Sequence, residues 1–144
     1  MLIQILNRAK YLYKSSKKIY LSPDLKRFFE SSFSIDEFIK DNTILENFSR
    51  LDDYEIYASL KYWIKNKDFV LSNLSQKILD REILKIRIQK IKFNKKTISE
   101  CRLNMMKKEN INLNESKYFI FSDKVSNSLS VSYTHLTLPT NCVV

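Results

Sequence analysis

The sequence predicts a mainly α protein: a helical bundle segment over residues 1–82, then a small, incomplete α+β region over 83–130 in strand, helix, strand order. Three observations predict it. Apolar residues recur at three- and four-residue steps as far as about residue 80, the period of an amphipathic helix. Ser34 with Glu37, Thr43 with Glu46 and Asp52 with Glu55 form Ser/Thr/Asp-x-x-Glu boxes, each a signature of a helix start. At residues 84–88 the period changes to strict alternation, as in a half-buried strand.

The elements follow in order. Leu2, Ile5, Leu6, Ala9, Leu12 and Tyr13 share one helical face, with Lys10, Lys14, Lys17 and Lys18 largely elsewhere, predicting an amphipathic helix of about five turns. Such a helix can lie on a membrane surface or pack in a bundle, and the bundle is preferred. Ser22 is placed to cap the next helix, with Pro23 at its first position, where a missing N–H costs nothing. The three boxes then predict short helices with tight connections. Ile56, Tyr57, Leu60, Trp63 and Ile64 form one stripe and Val70, Leu71, Leu74 and Ile78 the next, broken at Asn66 and Lys67, which indicates an antiparallel helix pair. Asp52 and Asp53 could be an acid pair or metal ligands, but a helix N-terminus stabilises carboxylates, and capping is preferred.

Past Arg81, Leu84, Ile86 and Ile88 alternate with Lys85, Arg87 and Gln89, predicting a strand that ends or bulges near Gln89 or Lys90. Thr97 with Glu100 opens an expected helix to about Lys107, and "KYFIFS" from Lys117 is the second strand candidate. No complete sheet is visible in this unit, which suggests a chain cut short.

Composition limits the function. The chain has 144 residues, enough for one domain with a modest core or for a piece of something larger. With 25 Lys and Arg against 16 Asp and Glu its net charge is +9, compatible with nucleic acid, anionic membrane or phosphate-rich ligands. The Lys residues are mixed with acids and accompany abundant Asn, Ile and Ser, so an AT-rich coding bias accounts for much of the charge. Glycine is absent altogether, which excludes P-loop and Rossmann phosphate turns. Cys101 and Cys142 are too few and too isolated for a disulfide framework or a zinc site. His135 is the single histidine, which argues against a His-rich metal centre. No apolar run is long enough to span a bilayer and no signal peptide is evident, so a cytoplasmic location is expected.

At "ENFSRLDDYEIYASLKYW" and "ILDREILKIRIQ" the sequence resembles bacterial HD-superfamily phosphohydrolases related to dNTP triphosphohydrolases. The similarity extends through "SPDLKRFFESSFSIDEFI" upstream and "SKYFIFSDKVSNS" downstream, covering residues 1 to about 129. It implies that residues 1–82 are the helical region after a catalytic core, with 83–130 a truncated α+β region. HD chemistry requires a separate His, an adjacent His-Asp pair and a further Asp around a divalent metal ion and its activated water. No His-Asp dipeptide occurs here, so the resemblance implies that the metal and the catalytic core lie upstream. The chain alone is expected to be inactive, with neither catalytic residues nor metal ligands. In a member of this superfamily an Arg and a Lys four residues later bind the phosphates of a regulatory nucleotide. Arg81 and Lys85 match that spacing, and a guanidinium fork with a point charge suits a triphosphate. Arg81 paired with Asp80 or Glu82 or at a helix C-terminus, and Lys85 on a solvated strand face, form the plainer reading, and it takes precedence.

Residues 131–140, "VSYTHLTLPT", differ in composition from everything before them. Back-translated as GTC TCT TAT ACA CAT CTG ACG CTG CCG ACG, they resemble a transposase-end sequencing adapter read in one frame. Residues 131–144 are therefore expected to be a non-native tail, leaving His135 and Cys142 without function. A β-prone C-terminal strand is the competing reading.

The sequence thus predicts a non-catalytic fragment of a metal-dependent nucleotide phosphohydrolase. Its expected partners are the missing HD core, a second copy in a homo-oligomer, and a nucleotide. The alternative is a stand-alone basic helical adaptor for nucleic acid or an acidic partner. Membrane association is not expected.

Overall fold

A computed structural model describes residues 1–31, 33–89 and 91–123. Among these the chain forms eight helices: α1 (Leu2–Lys14), α2 (Pro23–Glu30), α3 (Ile35–Lys40), α4 (Asn42–Arg50), α5 (Asp53–Trp63), α6 (Phe69–Leu79), α7 (Lys95–Glu109) and α8 (Leu113–Phe119). α1 packs on α6 and α8, α5 on α6, and α7 on α8; α3 and α4 pair with each other and α2 rests on α4. The mainly α class predicted from sequence is therefore observed.

The core forms where the apolar stripes meet. Ile5, Ala9 and Leu12 of α1 join Leu25 and Phe29 of α2, Leu60 and Trp63 of α5, and Val70, Leu71 and Leu74 of α6, with Ile111 and Phe119 closing the α8 end. Trp63 is fully buried, and its indole N–H donates to the Tyr20 carbonyl at 2.7 Å. Asn66 Nδ2 also donates to the Lys18 carbonyl, at 3.3 Å. The α5–α6 turn is thereby fastened to the segment that follows α1. Phe28, Phe33, Phe38 and Phe48 form a separate aromatic cluster under α3 and α4, with ring centroids 5.5–6.4 Å apart.

Three of the five caps expected from the sequence are observed. Ser22 Oγ accepts from Leu25 N–H at 3.3 Å, with Pro23 opening α2. Ser34 and Glu37 complete a reciprocal capping box at α3. Asp52 accepts from Glu55 N–H at 2.8 Å, so it caps α5. The expected Thr43 cap is corrected: Asp41 caps α4, its Oδ1 accepting from Thr43 N–H at 2.9 Å and Thr43 Oγ1 at 2.6 Å. A carboxylate two residues ahead takes the orphan donor and the competing hydroxyl together.

The ends show how a glycine-free chain stops helices. Ser16, Arg81 and Asn110 take left-handed φ values of 57°, 61° and 51°, the region glycine usually fills after a helix. Lys17 N–H returns to Leu12 O at 3.1 Å, Glu82 N–H to Lys77 O at 2.8 Å, and Ile111 N–H to Met106 O at 3.3 Å. Each is the six-to-one bond of a Schellman-type stop. This stop ends α1 at Lys14, short of the five turns expected.

The strand, helix, strand expectation is also corrected. The helix exists, as α7, but Asn94 rather than Thr97 caps it, accepting from Lys96 N–H at 3.0 Å. Residues 84–88 are extended without a ladder, and "KYF" of the second candidate is the last turn of α8. Asn112 and Glu115 form a reciprocal capping box that starts α8, and helical spacing brings Ser116 and Phe119 to buried positions. Arg102 then forks onto the Ile120 carbonyl at 3.1 and 2.9 Å, sealing the end of α8. With its second strand turned helical, the first has no partner among the described residues, and a lone strand has no ladder to stabilise it. The expected tail, with His135 and Cys142, lies outside the described residues.

Because Trp63 fills the centre and holds the Tyr20 carbonyl, Trp63→Ala should lower unfolding free energy by about 3–5 kcal/mol, measured by urea titration. Trp63→Phe should lose about 1–3 kcal/mol, from packing and from the unpaired carbonyl.

Candidate functional site

The most elaborate polar arrangement joins α1, α6 and α8 at Arg8. This residue lies three positions after Ile5 and four before Leu12, on the buried side of α1, and is 6 % exposed. A guanidinium can be buried only with its donors met. Arg8 Nε donates to Asp68 Oδ1 at 3.0 Å and Nη2 to Asp68 Oδ2 at 2.6 Å, a two-point fork. Nη2 also reaches Glu115 Oε1 at 3.2 Å. The rings of Tyr11 and Tyr118 flank the guanidinium, 5.3 and 5.2 Å from its carbon, a stacking arrangement suited to Arg.

Both carboxylates have a second task. Asp68 caps α6, its Oδ1 accepting from Leu71 N–H at 2.9 Å. Glu115 closes the α8 capping box, its Oε2 accepting from Asn112 N–H at 3.1 Å. Burial by itself pushes the Asp68 carboxyl up, but the Arg8 bonds, the Leu71 N–H and the Lys17 charge outweigh it and leave Asp68 below its ordinary value. Burial likewise opposes the Arg8 charge, and Asp68 outweighs it, so Arg8 stays protonated. A charged Arg beside a carboxylate held low is a fixed tie. Outside it lies an open cleft of about 470 Å³ edged by Gln4, Lys17, Lys117 and Tyr118.

Arg81 and Lys85 sit apart from this tie. Arg81 is the left-handed residue that stops α6, and Lys85 is on the extended segment beyond; both are exposed. The acids beside Arg81 have other partners: Asp80 accepts from Gln76 Nε2, and Glu82 pairs with Lys77 at 3.3 Å. Arg81 and Lys85 thus make no ion pair among the described residues. The left-handed conformation is no pointer to function, since Ser16 and Asn110 share it at equivalent stops. Asp52 and Asp53 are at the start of α5, with Asp52 as its cap.

Among the described residues no group of three or more His, Cys, Asp or Glu side chains lies together so as to hold a metal ion. The described side chains therefore form no site for a divalent metal ion. Nor is any described helix long and apolar enough to cross a membrane.

The Arg8, Asp68 and Glu115 arrangement ties three helices of the described region together. No family model and no curated protein matches the chain. A solved phosphohydrolase from Bacteroides thetaiotaomicron is similar to it, with 34 % sequence identity and a TM-score of 0.74 over 81 % of this chain. That match supports a phosphohydrolase relation and a phosphohydrolase-like fold. The chain spans 29 % of the length of that phosphohydrolase.

Arg8 and Asp68 are absent from the sequence-based candidates. The available signal was a lone Arg inside the Ile5 and Leu12 stripe, which implies a buried acid elsewhere. The pH dependence should reveal the tie. Asp68 is lowered in the folded state, so its contribution is complete above the unfolded value of about 3.9 and lost as pH falls through the folded one. Glu37, held low by the Ser34 backbone N–H, and Asp41, held low by the Thr43 hydroxyl, act in the same window. Asp68→Asn should thus be less stable at pH 7 and lose less on going from pH 5 to pH 2, a shallower slope measurable by urea unfolding at each pH.

Proposed function

We propose that this chain is the helical region following the catalytic core of a cytoplasmic, bacterial HD-superfamily phosphohydrolase of the dNTP triphosphohydrolase type. The observation that carries the reading is the 34 % identity and shared fold with a phosphohydrolase of which the chain spans 29 %. In this reading the chain is a non-catalytic fragment. It supplies packing against the core, contacts between subunits and regulatory contacts, while the divalent metal belongs to an HD core upstream. The fixed Arg8 tie supports a packing role, because it orients three helices.

Arg81 and Lys85 are the proposed contacts to a regulatory nucleotide. Their exposure and lack of ion pairs support this role, since phosphate would displace only water from them. Residues 131–140 are read as a translated adapter and play no part.

An independent long read across the source gene tests the reading. The frame should continue upstream into a separate His, a His-Asp pair and a further Asp, and depart from "VSYTHLTLPT" after about residue 130. A frame that starts at Met1 and encodes that tail in the source DNA would overturn it.

Arg81 gives a second test that separates conformation from chemistry. Arg81→Gly should stabilise the fold by about 0.5–1 kcal/mol, by relieving the left-handed backbone. The same change, and Lys85→Ala, should each weaken dGTP binding at least fivefold in calorimetry. Unchanged affinity in both variants would remove the pair from the site.

A further inference from the structure

Residues 83–89 have the pattern of a strand and no backbone partner among the described residues. The last regular backbone bond before them is Glu82 N–H to Lys77 O at 2.8 Å. From Ile83 to Gln89 no residue hydrogen-bonds to any described residue. The side chains are equally uncommitted: Ile83, Ile86 and Ile88 are 74 %, 79 % and 75 % exposed. Leu84 alone packs against the core, so the segment is anchored at one end and open along its length. Beside it, Arg87, Gln89, Phe93 and Thr97 line an open cleft of about 490 Å³.

An extended run with free N–H and C=O groups is a template for strand addition. Charge selects the occupant. In an antiparallel pair of two copies centred on Ile86, Lys85 would face Arg87 of the other copy. A parallel pair in register would set each cation beside its own equivalent. Like charges placed opposite one another destabilise a ladder, whereas opposite charges stabilise it. The complementary strand has apolar residues to meet Ile86 and Ile88, and acids to meet Lys85 and Arg87.

We propose that residues 84–88 are a docking edge for an extended segment of another protein whose residues alternate apolar with acidic, and that this segment adds to the edge as a β-strand. The edge serves in this way whether or not Lys85 also meets a phosphate.

A fluorescent seven-residue peptide alternating Glu and Val, beginning and ending with Glu, is the probe. The control has the same residues in block order, four Glu and then three Val. Titrated against the full chain, the alternating peptide should bind at least tenfold more tightly by anisotropy. It should also slow amide exchange at residues 84–88. Arg87→Glu and the paired change Ile86→Ser with Ile88→Ser alter exposed side chains, so the fold should persist, and each should weaken binding at least fivefold. Equal binding of the two peptides would reduce the effect to charge attraction and overturn the proposal. So would no binding, or exchange at 84–88 that the peptide leaves unchanged. A concentration-dependent dimer that protects 84–88 would overturn it too, by making a second copy the occupant.

Discussion

One buried guanidinium sets the arrangement of this molecule. Arg8 leaves water on the apolar face of α1, and desolvating an isolated charge there would cost several kcal/mol. Asp68 and Glu115 compensate it with three hydrogen bonds. Those carboxylates also start α6 and α8. The requirement to pair Arg8 therefore fixes where two helices begin as well as how they lie against α1. A leucine at this position would pack at many rotations of the helix, but the fork is satisfied at one. The tie acts chiefly as a specificity device, with the core around Trp63 providing most of the driving force.

The lack of glycine imposes a second constraint. Left-handed residues end α1, α6 and α7, and Ser, Arg and Asn have to fill them. Asn tolerates that conformation best of the three, while an Arg or Ser there is strained by its Cβ. This strain comes from composition and recurs at ordinary helix ends. Arg81 consequently has two separate attributes: a backbone that terminates α6 and a side chain left exposed.

Local signals were legible in the sequence. Ser22, Ser34 and Asp52 cap the helices their spacing announced, because a cap depends on residues within one turn. The stripes through Leu60 and Trp63 and through Val70, Leu71 and Leu74 proved to be core. What escaped depends on distant partners or on competition between neighbours. Arg8 and Asp68 are 60 positions apart, so neither announces the other. Asp41 overrode Thr43 because it starts the helix earlier, accepting from both the N–H and the hydroxyl of Thr43 itself. Alternation at 84–88 pointed to a strand that the structure does not form, because a strand exists only with a second one beside it. The Asn112 and Glu115 box had already committed "KYF" to a helix.

A rigid tie inside, an exposed basic turn and an open extended edge are separate features of one helical fold that is similar to a phosphohydrolase. The central claim is that Arg8 and Asp68 act as a unit, and a double-mutant cycle tests it most directly. Unfolding free energies of the full chain, Arg8→Met, Asp68→Asn and the double variant, measured in urea at pH 7, should give a coupling of about 2–3 kcal/mol, with the double variant more stable than the sum of the single losses implies. Losses that add to within about 0.5 kcal/mol would contradict the account and leave Arg8 an incidental neighbour of Asp68.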